Sequence, residues 1–147
     1  MPAPRTDTID DLRVALRELL AAQRRLRGRE AQRPGAISFS QHAVLRVLAD
    51  GEEHSAGELA AAADLTPASI TKMLDGLSRV GFLERVRDES DRRRVGVRIT
   101  DAGRREFAAK EQRIRTAWED ELQGASEEEL ESMIVALQRM AALFDAF

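Results

Sequence analysis

The chain has 147 residues, 43% of them hydrophobic, 33% charged and 4% aromatic, with a formal net charge of −3. That length suits one domain or one compact two-lobed protomer, with a core resting on Leu, Val, Ile and Ala. The lack of Cys excludes disulfides, cysteine-zinc sites and thiol redox sensing within the chain; no apolar run approaches the ~20 residues of a membrane span, and Met1 to Asp11 lacks the apolar centre of a secretory signal, so a soluble cytoplasmic protein is expected.

A first helix is expected from Thr8, whose side chain can cap it, with Asp10 and Asp11 near the positive end of its dipole. Ile9, Leu12, Leu16, Leu19 and Leu26 keep helical spacing, and Leu20 widens the stripe. Arg24, Arg25, Arg27 and Arg29 read as a solvated helix end at the dipole's negative pole, and Pro34-Gly35 breaks the chain. Ser38 to Gln41 has the form of a capping box, so a second helix is expected over Phe39 to Ala49 with Val44, Leu45 and Leu48 inward. Asp50-Gly51 is a turn. Ser55 to Glu58 repeats the capping box and opens a short alanine-rich helix that fades by Ala63. Thr66-Pro67 starts a fourth helix, which runs to about Val80 and stops at Gly81.

Two β-prone segments follow, Phe82 to Arg87 and Arg94 to Ile99. In the second, Val95, Val97 and Ile99 alternate with Arg94, Gly96 and Arg98, and the polar loop Asp88 to Asp91 lies between the two. Thr100 can cap a fifth helix to about Leu122. Ser126 to Glu129 is a further capping box, opening a sixth helix with Leu130, Met133, Ile134, Leu137 and Met140 at steps of three and four.

Helix, short helix, capped helix, glycine turn and hairpin is the order of a winged helix-turn-helix. The expected fold is mainly α with a small β-hairpin wing and long dimerisation helices. Residues 1–34 and 101–147 serve dimerisation, and 38–100 form the DNA-binding lobe. In this arrangement the third helix, entered at Ser55, crosses a DNA backbone while the fourth turns its N-terminal half to base edges. On the fourth, Ile70, Met73, Leu74 and Leu77 make an apolar face, while Thr66, Ala68, Ser69, Thr71, Lys72 and Asp75 lie mostly opposite. Small hydroxyls admit close approach to phosphates, and Lys72 can reach a phosphate or a guanine edge. That helix alone is equally well read as an ordinary amphipathic one.

The hairpin tips the balance. Arg85, Arg87, Arg92, Arg93, Arg94 and Arg98 crowd into a short span that Asp88, Glu89 and Asp91 neutralise only in part. Residues 66–110 carry 11 basic and 7 acidic side chains, whereas 111–147 carry 3 and 9. Local field rather than net charge governs docking to phosphates, and a wing-tip Arg can enter a narrow minor groove.

Ser38 with Gln41, Thr66-Pro67-Ala68-Ser69, Leu77 to Leu83, Glu84-Arg85, Asp91-Arg92-Arg93 and Ile99-Thr100-Asp101-Ala102-Gly103 together resemble the MarR family, over nearly the whole chain. The resemblance implies a homodimer on a pseudo-palindromic double-stranded DNA operator, usually as a repressor. It implies that Asp91 and Arg93 shape the wing and touch the minor groove, and that Arg85 pairs with an acid at the wing base. Arg94 stands where the family commonly has a small residue, and Val86-Arg87 where an Arg-Pro-like pair is usual. The family also implies an effector, small and anionic or phenolic, in a crevice beside the paired helices. Phe39, His42, Arg46, Arg113 and Trp118 are the candidate lining here, although His42 also reads as a helix-surface or interface histidine and Trp118 as core.

Apolar stripes on helices one, five and six, with Phe144 and Phe147 at the end, exceed what one protomer can bury, so a second copy is the expected cover. The alternative is a winged-helix module that binds protein without DNA, against which the arginine excess argues. An enzyme is not expected: there are two His, no Gly-rich phosphate loop and no hydrolase-type Ser motif. No cofactor or metal is expected either, since capping accounts for Glu58 beside Glu53-His54.

Overall fold

Hydroxyl side chains set the helix starts. In the computed structural model, which describes residues 5–31, 35–87 and 95–147, Ser38 caps α2 (Phe39–Leu48), Ser55 caps α3 (Ala56–Ala62) and Ser126 caps α6 (Glu127–Asp145). Each closes a reciprocal capping box with Gln41, Glu58 or Glu129, satisfying two amide donors that the helix leaves open. Thr66 caps α4 (Pro67–Arg79), with Pro67 in the first turn, where its missing N–H costs nothing. The first helix, α1 (Arg5–Ala31), departs from expectation: it begins at Arg5, so Thr8 is an interior residue and not the cap.

The two glycine-type stops are equally local. Gly81, at φ +83, ends α4 by donating to Ser78 O (3.0 Å), while Phe82 donates to Leu77 O (2.9 Å), a Schellman closure. Asp64 fills the same position after α3 at φ +52, with Leu65 donating to Ala60 O (2.8 Å). That closure turns the chain straight into Thr66 and the start of α4.

The chain divides into two units, Met1–Lys110 and Glu111–Phe147. In the first, strands β1 (His54–Ser55), β2 (Leu83–Arg87) and β3 (Val95–Ile99) form an antiparallel sheet in the order β1-β3-β2. Leu83 pairs with Ile99 and Arg87 with Val95, while His54 and Ser55 pair with Val97 and Gly96 on the other side of β3. The hairpin expected from sequence is therefore a three-stranded sheet. Val97 and Ile99 face inward as expected, but Val95 is 40% exposed, lying past the core's edge. Gly96 is buried because Glu53 lies over it: a Cβ there would come within 1.7 Å of Glu53 Oε1.

One core unites Ile37, Val44, Leu45, Leu48, Leu59, Ile70, Leu74, Leu77, Leu83, Val97 and Ile99, with Met73, Phe82 and Phe107 packed around it. Fully burying side chains of this size contributes about 1.5–3 kcal/mol each. Apart from Ile37, which precedes α2, its members come from α2, α3, α4 and the sheet, so the apolar face of α4 is clamped in the core. Helix α5 (Asp101–Leu122) starts on Thr100, whose Oγ1 accepts from the Gly103 amide (3.1 Å) and donates to Gly81 O (2.6 Å). The second unit holds the rest of α5 and α6, and none of α6 is buried.

Candidate nucleic-acid interface

The fourth helix has the two faces its spacing predicts. Ile70, Leu74 and Leu77 are buried and Met73 packs partly beside them. Thr66, Ala68, Ser69, Thr71, Lys72 and Asp75 are exposed on the outer face. Thr66 Oγ1 accepts from the Ser69 amide (3.2 Å) and donates to Ser69 Oγ (2.9 Å), while Thr71 Oγ1 donates back to Pro67 O (2.9 Å). With its hydroxyl hydrogen used internally, Thr71 offers outward its methyl group and lone pairs, while Ser69 Oγ accepts from Thr66. Lys72 pairs with no carboxylate among the described residues.

Shallow hollows flank this helix. One of about 540 Å³ runs along its outer face beside Ala68, Thr71, Lys72, Asp75, Gly76 and Arg79. Another, about 620 Å³, lies between the end of α1 (Arg27, Glu30), the start of α2 (Ser38, Ser40, Gln41) and Ser69, Lys72 and Met73 of α4. Ser55, exposed at the head of α3, spends its hydroxyl lone pair on the Glu58 amide (3.2 Å).

On β2, Leu83, Arg85 and Arg87 share one face by strand parity. Leu83 enters the core; Arg85 and Arg87 emerge from it. Arg85 pairs with an acid, as the resemblance implies; the partner is Asp75 of α4, ten residues earlier. Arg98, on β3, approaches Glu53 at 3.9 Å. The expected wing residues Asp91, Arg92, Arg93 and Arg94 lie outside the described residues.

The expected effector-site residues fall in two groups. In the first unit, the Phe39 amide donates to Glu30 Oε1 (2.9 Å), and Lys110 sits 4.3 Å from its ring centroid while also approaching Glu30 at 3.4 Å. His42 is 3% exposed and stacks on Phe107 with ring centroids 4.9 Å apart, which corrects the helix-surface reading. Arg46 is exposed. In the second unit Arg113 is exposed and Trp118 is 59% exposed, so Trp118 is not core in the single chain.

The turn that delivers β1 is polar throughout. Asp50 accepts from the Glu52 amide (2.8 Å) and lies 2.9 Å from His54 Nε2, and these bonds hold its carboxyl below the usual carboxylate range. Arg104 of α5 donates to Ala49 O (3.3 Å) beside Gly51, whose φ of +86 makes the turn. The Glu58 carboxylate is taken up by the Ser55 amide (2.7 Å). No cluster of three or more His, Asp or Glu among the described residues is placed to hold a metal ion, and no described helix is long and apolar enough to cross a membrane.

The family model described as MarR family matches residues 37–95 of the chain. Over 136 residues the chain is 30% identical to an uncharacterised HTH-type transcriptional regulator of Mycobacterium bovis, covering 92% of this chain and 91% of that protein. A shorter stretch of 70 residues is 36% identical to the HTH-type transcriptional repressor YetL of Bacillus subtilis, spanning 46% of this chain and 42% of YetL, less than half of that protein. Among solved structures, the PcaV transcriptional regulator of Streptomyces coelicolor, in complex with its natural ligand, superposes with a TM-score of 0.70 at 25% identity, covering 97% of this chain and 98% of PcaV. Streptococcus pneumoniae FabT in complex with DNA gives 0.71 at 24% identity, covering 92% and 97%, a likeness of fold.

Proposed function

The chain belongs to the MarR family of transcriptional regulators, and on that premise we propose that two copies bind one pseudo-palindromic operator and act there as a repressor that a small effector releases. The observation that carries this reading is the outer face of α4, where exposed hydroxyls and the cation of Lys72 ride on three buried apolar anchors. Such a helix can press into a major groove without yielding, because its back is fixed in the core. Thr66, Ser69 and Lys72 then meet phosphates or base edges, and Arg87 with the wing residues Arg92, Arg93 and Arg94 reaches the flanking backbone and minor groove.

Dimerisation is supported by the apolar side chains left open in the single chain: Ile9, Leu12 and Leu19 on α1, and Ile134, Leu137 and Phe144 on α6. Burial against a second copy removes that surface from water at ~25 cal/mol per Å². A two-fold axis then sets the two α4 helices ~34–36 Å apart, one turn of duplex. Repression is suggested by YetL, and an effector by the liganded PcaV. Phe39, His42 and Arg46 in the first unit and, separately, Arg113 and Trp118 in the second are the candidate effector contacts; the ligand works only through a different affinity for the DNA-competent and relaxed dimers. The setting for this activity is the cytoplasm.

The test is to sequence genomic fragments retained by the purified protein, then titrate the enriched duplex in rising salt while measuring solution mass. A two-chain mass and a steep loss of affinity with salt are expected. A one-chain mass with no retention of any duplex would sink the proposal, and a module that binds only protein would show no duplex binding even in dilute salt.

A further inference from the structure

The Asp75–Arg85 pair sits where charge matters most. Asp75 projects from the outer face of α4, in the same hollow as Thr71, Lys72 and Arg79. A free carboxylate there would repel a phosphate. Arg85 reaches it from β2, one step beyond the buried Leu83 on the same strand face, and both side chains are about half exposed, 49% and 51%. Arg87, two residues on, has no carboxylate partner among the described residues. Among the described residues the two arginines on this strand face therefore differ: one is held by the helix, the other meets no carboxylate.

We propose that Asp75 is a specificity-determining residue that occupies Arg85, withholding its charge from the DNA backbone and tying β2 to α4. The inference rests on the DNA-binding reading above and deepens it. Sequence-independent affinity comes from cations that meet phosphates, so a cation kept from them lowers binding to every duplex. Specific binding loses little by this, because the same pair fixes the wing's position relative to the helix that reads bases. Asp75 acts through Arg85 and the geometry of the two elements, without a base contact of its own.

The experiment compares the full-length protein with its Asp75→Asn, Arg85→Gln and doubly substituted forms on the enriched operator and on a scrambled duplex, across a salt series. Freeing Arg85 in Asp75→Asn adds about 0.9 to the log–log salt slope per protomer, so the loss of scrambled-duplex affinity between about 50 and 200 mM salt grows roughly 3.5-fold for one protomer and roughly twelvefold for two. The ratio of operator to scrambled affinity falls. Arg85→Gln leaves the Asp75 carboxylate unpaired beside the phosphates and weakens binding to both duplexes, whereas the double variant, with neither charge, returns to the wild-type slope. Thermal melts show that each variant is folded; a variant that does not fold is replaced by the exchanged pair, Asp75→Arg with Arg85→Asp, which is expected to recover the operator preference. An unchanged slope in Asp75→Asn, or a slope about one contact below wild type in the double variant, overturns the proposal while DNA binding stands. Absence of duplex binding by the wild type removes both.

Discussion

Gly103 lies in the first turn of α5, where an alanine would ordinarily help the helix. Replacing an interior helical Gly by Ala gains about 0.8–1.0 kcal/mol in propensity. Here the added Cβ would stand 2.2 Å from the carbonyl oxygen of Phe82 and 2.9 Å from Ile99 Cγ1, with the Phe82 carbonyl carbon at 3.0 Å. The first contact is with backbone, and that carbonyl already accepts from the Thr100 amide at 3.1 Å. No side-chain rotation can relieve it; α5 must move off the end of α4. Overpacking of this kind costs about 1–3 kcal/mol, and the displacement also strains the Thr100 bridge to Gly81, so the steric cost outweighs the propensity gain. With a close backbone contact the cost sits in the upper part of that range, so a net loss of up to about 2 kcal/mol is expected, which for a chain of this size lowers Tm by up to roughly 8 °C. Thermal melts at one fixed protein concentration measure it, with Gly28→Ala as the companion. Nothing lies within 4 Å of a Cβ at Gly28 in α1, so that change is expected to raise stability by about 0.5–1 kcal/mol. If Gly103→Ala melts at or above the wild type, the steric reasoning is wrong.

Asp64 holds a left-handed conformation and places a negative charge at the end of α3, so Asp64→Gly is expected to stabilise by about 0.5–1 kcal/mol; a lowered urea midpoint would refute this. Hydrogen bonds from the Glu52 amide and His54 depress the Asp50 carboxyl. Its contribution is therefore present above the usual carboxylate range and disappears as pH falls through the folded-state value. Urea midpoints should accordingly show Asp50→Asn less stable than wild type near neutrality and the gap closing in acid; a gap that widens in acid contradicts the sign. Lys72→Ala is expected to weaken DNA binding, equally on operator and scrambled duplex if it meets a phosphate and unequally if it reads a base, and equal affinity to wild type on both would exclude either role. Arg93→Ala is expected to weaken operator binding without shifting Tm, and an unshifted gel-retardation midpoint would count against the wing's part in recognition.

What could be read from sequence was what neighbouring residues decide. Capping at Ser38, Ser55 and Ser126 depends on a residue three positions on, so each helix start was visible. So was the buried face of α4, because Ile70, Leu74 and Leu77 keep helical spacing. Thr8 misled because a good capping side chain does not stop a helix that can extend further upstream, here to Arg5 beside Pro4. Strand β1 was missed because two residues carry no period; it exists only through its bonds to Val97 and Gly96. His42 was misplaced for a similar reason, since its stacking partner Phe107 is far along the chain. Within the candidate interface, sequence supplied the α4 side chains, but the pairing that separates Arg85 from Arg87 depends on how helix and strand meet.

The sheet's outer margins bear on how the protein behaves at high concentration. A bare ribbon would offer unpaired amides and carbonyls to another chain, the usual route to edge-to-edge aggregation. Here β3 is enclosed between two neighbours, β1 offers only two residues of open rim, and β2 is lined by Glu84, Arg85 and Arg87. One margin is too brief and the other too charged to template a further strand, so the lobe can remain dispersed.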